Sequence, residues 1–153
     1  IMTKKILTII LTIFILGGCG YAPIYKNLEN VNFSINIQEF SGDRTINKKI
    51  KSKLTNYTVN EREKKFNISF NSKYKKNIVA KDTTGAATEF KIIIETEFEI
   101  LSSNLEQKLK LVESFNMQKI NDKLDEQDYE ESIKDSLTSI IARKLILRLS
   151  QLQ

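Results

Sequence analysis

The sequence has no histidine and no tryptophan, one cysteine and one proline. Each absence removes a class of chemistry. Without histidine there is no Ser-His-Asp triad, no Cys-His pair and no His-ligated zinc site. A single cysteine excludes an intrachain disulfide and a thiolate metal cluster. Glycine is scarce, with five residues. Gly17 and Gly18 sit together near the start, and Gly42 and Gly85 are isolated turn glycines, so no Walker A or GxGxxG phosphate loop exists. EF-hand spacing is also missing. No cofactor or metal is expected, and the inventory points away from an enzyme.

What remains is ordinary for one globular domain: 153 residues, 28% charged and 41% hydrophobic, which argues against wholesale disorder. The formal charge of +5 suits an anionic partner or surface without naming one.

The first eighteen residues differ from the rest. Lys4 and Lys5 precede an uncharged run, residues 6–16, of Ile, Leu, Phe and Thr; Gly17, Gly18 and Cys19 follow. A positive start, a short apolar run and small residues make a secretory signal peptide. The run falls short of the ~20 apolar residues a spanning helix needs. The tetrad Leu16-Gly17-Gly18-Cys19 resembles the lipobox of bacterial lipoproteins, in which the cysteine takes a diacylglyceryl group, the chain is cut before it and the new amine is acylated. That resemblance assigns residues 1–18 to the signal peptide, makes Cys19 the lipid-attachment residue and residues 19–30 a lipidated tether. Two or three acyl chains hold a protein firmly where one holds it marginally. Gly20, rather than the aspartate that retains enteric-type lipoproteins at the inner membrane, leans towards the outer membrane, facing the periplasm. Loss of Lys4 and Lys5 with the leader takes the formal charge from +5 to +3.

Residues 31–153 read as a single α+β domain. Val31, Phe33, Ile35 and Ile37 alternate with polar residues, as in a half-buried strand. Asp43 can cap a helix whose stripe is Ile46, Ile50, Leu54 and Tyr57, with Lys48, Lys49, Lys51 and Lys53 on its other faces. A second alternating run, Phe66 to Tyr74, is interrupted by Lys75, Lys76 and Asn77 and resumes at Ile78. After a turn at residues 83–86, the run from Phe90 to Ile100 alternates with Glu95, Glu97 and Glu99, a solvated face opposing lysines such as Lys108 and Lys110. A hairpin-length turn at residues 102–104 leads to a fourth strand holding Leu105, Leu109, Leu111 and Phe115. Beyond the acidic residues 122–127, a period of three to four predicts a long helix from about Gln127 to Leu149. The order β-α-β-β-β-α implies a two-layer sandwich, with both helices on one face of a four-stranded, mainly antiparallel meander. About 135 residues bury roughly two-thirds of their extended surface, enough for a core without disulfides.

Two basic clusters stand out. Lys48, Lys49, Lys51 and Lys53 lie on the first helix. Lys73, Lys75, Lys76 and Lys81 are expected around the turn between the second and third strands. Either suits lipid-borne phosphates; a secretory leader disfavours nucleic acid.

The whole layout resembles the lipopolysaccharide-assembly lipoprotein LptE family in its alphaproteobacterial form. The matching features are Cys19-Gly20-Tyr21-Ala22-Pro23-Ile24-Tyr25, a first strand running into Gly42-Asp43-Arg44, Ser114-Phe115-Asn116 before an acidic connector and Tyr129-Glu130, and a final helix ending Ile146-Leu147-Leu149. The resemblance implies two helices on a four-stranded sheet. It implies a lipoprotein that plugs and helps assemble the LptD outer-membrane β-barrel and assists lipopolysaccharide transport to the outer leaflet. It further implies lipid-contacting basic residues at one end of the domain, for which Lys75, Lys76 and Lys81 are the candidates. The alternative is a periplasm-facing outer-membrane lipoprotein that serves as an adapter in envelope biogenesis.

Overall fold

Alternation and helical period resolve into six elements in a computed structural model, which describes residues 31–58 and 62–152. They are β1 (Phe33–Gly42), α1 (Arg44–Leu54, continued by one 3-10 turn, Thr55–Tyr57), β2 (Lys64–Lys81), β3 (Ala87–Ser102), β4 (Leu105–Gln118) and α2 (Lys123–Ser150). The fold is α+β, with the expected element order.

The sheet runs β1-β2-β3-β4 and is mixed. The three later strands form the antiparallel meander, but β1 pairs with β2 in parallel, Phe33 opposite Lys64 and Gly42 opposite Ser72. The sheet is thus mainly antiparallel, as expected, with β1 and β2 its parallel pair. α1 carries the chain back along β1, so the next strand enters in the same direction; parallel neighbours require such a crossover. Gly42 starts the return at φ +88°, the left-handed region open to glycine. Asp43 then accepts a hydrogen bond from the Ile46 amide at 2.9 Å, capping α1,.

Among the described residues, one face of the sheet is covered by the helices and the other is open. Phe33, Phe66, Ile68, Ile92, Ile94, Phe98 and Ile100 meet Ile46, Ile50 and Leu54 of α1 and Ile141, Leu145 and Leu149 of α2, all nearly inaccessible. Phe33 packs edge-on against Phe66 at 5.5 Å and Phe70 lies 5.6 Å from Phe98. The two polar side chains in this layer of β2 and β3, Ser72 and Thr96, satisfy each other at 3.2 Å. Lys53 donates to Asp135 at 2.9 Å and Lys49 lies 3.4 Å from Glu131, tying α1 to α2.

α2 begins four residues before the hydrophobic period suggests. Asp122 caps it, accepting from the Leu124 and Asp125 amides. Its buried apolar residues begin only at Ile133. The first turns meet the sheet through charge instead, and a hydrophobic pattern does not register them.

Candidate functional site

Among the described residues β2 is the longest strand, and its second half extends past the end of β1. There α2 lies over Tyr74 and Lys76. Glu126 and Glu130, one turn apart, both reach the Lys76 ammonium, at 3.3 and 2.8 Å. Tyr74 donates to Glu130 at 2.7 Å, and Lys134 pairs with Glu130 at 2.8 Å. Lys119 closes on Glu126 at 2.7 Å. The Lys76 ammonium also lies 4.4 Å from the centre of the Phe90 ring, and that of Lys134 lies 4.6 Å from the Tyr74 ring, distances at which the ring faces attract cations.

Burial alone would raise the Glu130 pKa, but hydrogen bonds from Lys134, Lys76 and Tyr74 outweigh it and hold the carboxyl down at about 2,. Burial opposes the charge on Lys76, yet Glu130 and Glu126 hold its pKa above the ordinary lysine value. Burial and the bond to Glu130 push the Tyr74 phenol upward. Three donors occupy Glu130, so this cluster clamps the helix to the sheet and presents no poised acid or base.

The structure moves two predicted residues. Lys75 and Lys76 belong to the continuous body of β2 and not to a turn; the regular antiparallel pairing with β3 carries the strand through them. Adjacent strand positions face opposite ways. Lys76 therefore points under α2, its side chain 25% accessible and engaged by two carboxylates, while Lys75 is exposed on the open face. Lys81 is exposed at the end of β2. The turn beyond it is organised by Asp82, which accepts from the Thr84 and Ala86 amides. Cys19 lies outside the described residues.

The open face adds a cation that sequence reasoning missed. Lys91 pairs across from Asn77, and Ile93 from Lys75, so Lys91 stands diagonal to Lys75. Only the register brings them together; in sequence they are sixteen residues apart. Further along, Glu95 meets Lys110 at 2.9 Å and Glu99 meets Lys108 at 2.9 Å, the cross-strand ladder that alternation predicts. A shallow cleft of about 320 Å³ beside the β1 bulge is lined by Glu39, Phe40, Asn71 and Glu97 among others, opposite in charge to the hairpin end. In the first-helix cluster, Lys49 and Lys53 serve the interhelix contact, and the Lys51 ammonium lies 5.4 Å from the Phe40 ring centre.

The fold is one already seen in bacterial lipoproteins. The structure resembles rare lipoprotein B from Shewanella oneidensis with a TM-score of 0.58 at 13% identity, covering 76% of this chain and 96% of that one. A lipoprotein B from Nitrosomonas europaea gives a TM-score of 0.52 at 15% identity, covering 80% and 88%. A minor lipoprotein from Acinetobacter baumannii gives 0.50 at 11% identity, covering 76% and 93%. No family model and no curated protein sequence matches the chain. At such identities the likeness is one of fold.

Proposed function

We propose that this chain is a non-enzymatic lipoprotein of the outer membrane, anchored through Cys19 and facing the periplasm. In this reading it works by binding. It plugs and helps assemble a large LptD-type β-barrel and assists the passage of lipopolysaccharide to the outer leaflet. The observation that carries the reading is the coincidence of a lipobox ending at the sole cysteine with a fold shared with bacterial lipoproteins. The structure adds compatible surface chemistry. A domain whose open sheet face is mostly polar, interrupted by Ile93, Leu101 and Val112, fits the polar lumen of a porin-like barrel.

The glycolipid would meet the hairpin end, where Lys75 and Lys81 are exposed and Lys91 joins them. Lys76 would contribute mainly by fixing the strand beneath α2. The anchor is tested by Cys19→Ser, which should abolish fatty-acid labelling; persistent labelling would refute it. The lipid role is tested by Lys75→Glu with Lys81→Glu, which should lower capture of lipopolysaccharide severalfold. Unchanged capture would remove the hairpin end from the reading. An adapter role would gain if surface lipopolysaccharide stayed normal on depletion.

A further inference from the structure

We propose that the outer edge of β2, from Lys73 to Ile78, takes up an extended acidic segment of a partner protein as an added strand. The inference rests on sheet geometry; it shares Lys75 with the glycolipid contact proposed above, but its readout is backbone amide exchange and not lipid capture.

β1 stops opposite Ser72 because Gly42 turns the chain away. The Asp43 amide donates to the Ser72 carbonyl at 2.7 Å, which fixes the direction of that carbonyl: it points towards the β1 side. Backbone groups alternate along a strand, so the N–H and C=O groups of Tyr74, Lys76 and Ile78 point the same way. No strand among the described residues pairs with them. On the other side β3 holds the segment in regular register from Asn67 to Ile78, and the first irregularity comes only after Ile78. Proteins blunt such edges with proline, bulges, short strands or charged side chains, lysine above all; before Ile78 this stretch has only the last, in Lys73, Lys75 and Lys76, a guard that an acidic strand would turn into an attraction.

The flanking side chains choose the occupant. Lys73, whose ammonium lies 4.0 Å from Glu95 yet stays 56% accessible, and Lys75 are exposed two residues apart on the open face, where an added strand with acidic residues at alternate positions would place carboxylates beside them. Ile78 and Val79 are 53% and 51% exposed and offer apolar contacts beyond the lysines. A second copy of this edge would set lysine against lysine, which is unfavourable in directly opposed strand positions. Main-chain hydrogen bonds give such strand addition its affinity, and alternate side chains give it its specificity.

The test uses the full chain, isotopically labelled in detergent micelles, with a synthetic peptide of alternating glutamate and valine. A lysine–valine peptide serves as control. Amide exchange at Tyr74, Lys76 and Ile78 should slow at least tenfold with the acidic peptide and stay unchanged with the basic one. Ile78→Pro removes an outward N–H and should weaken binding about tenfold while the Ile92 and Phe98 amides keep their exchange rates. Should that variant fail to fold, the double charge reversal Lys73→Glu, Lys75→Glu decides instead: it should switch the preference to the basic peptide. The proposal is overturned by no slowing with either peptide, by equal slowing with both, or by protection appearing on β4 or β1 rather than β2. Concentration-dependent dimers protected at the same amides would also overturn it, since the edge would then be serving a second copy.

Discussion

The clamp beneath α2 makes a quantitative demand on stability. The Glu130 carboxyl titrates near 2 in the folded protein, against an ordinary value of 4.5. Because the folded value is the lower one, folding gains stability above the unfolded pKa and loses it as pH falls from about 4.5 towards 2. Taken at face value this difference is about 3 kcal/mol. The site lies at the rim of the domain, with the Glu130 side chain 17% accessible, and solvent screening reduces it to about 1–2 kcal/mol. Glu130→Gln keeps the shape and removes the charge that Lys76 and Lys134 address. Urea unfolding should place the variant about 1–2 kcal/mol below wild type at pH 7, and the gap should close as pH approaches 2. On the alkaline side the sign reverses: the Lys76 pKa is raised, so its contribution is present at neutral pH and lost only as pH climbs through that raised value. A gap that is as large at pH 2.5 as at pH 7, or no gap at pH 7, would refute the account of the clamp.

Other substitutions test the frame that positions this site. Gly42→Ala should destabilise by at least about 2 kcal/mol in the same assay, because a left-handed backbone is costly for alanine and its Cβ would fall on the Ser72 carbonyl; a neutral result would mean the crossover turn is wrongly placed. Phe98→Ala should cost about 3–5 kcal/mol, since its ring is buried in the core and packs 5.6 Å from Phe70, and a loss below 1 kcal/mol would contradict its central position. Asp43→Ala should cost about 1 kcal/mol through loss of the α1 cap, measured as a lowered urea midpoint; no change would show that the Ile46 amide is satisfied otherwise.

Elements whose cause is local were legible in the sequence. Ile46, Ile50 and Leu54 announced α1, and the alternation from Phe90 to Ile100 announced β3, because each pattern is fixed by burial of one side. The glutamates of β3 met the lysines of β4 for the same reason. Elements set by distant partners were not legible. Lys75 and Lys76 looked like a break because two adjacent lysines on a strand need separate explanations: one faces solvent, and the other is neutralised by Glu126 and Glu130, some fifty residues away. The first turns of α2 escaped a hydrophobic reading for the same reason. The parallel β1–β2 pairing depends on where α1 packs, which one-dimensional periodicity does not encode. At the hairpin end, Lys91 joined Lys75 only through the β2–β3 register.

The most direct test of the central claim is purification of the tagged, lipidated chain from outer membranes of its own host, followed by identification and stoichiometry of whatever accompanies it. The account predicts one large β-barrel protein in equal amount, retained through detergent exchange, with depletion of the chain lowering surface lipopolysaccharide. Recovery of the chain with no barrel, together with normal surface lipopolysaccharide on depletion, would contradict it.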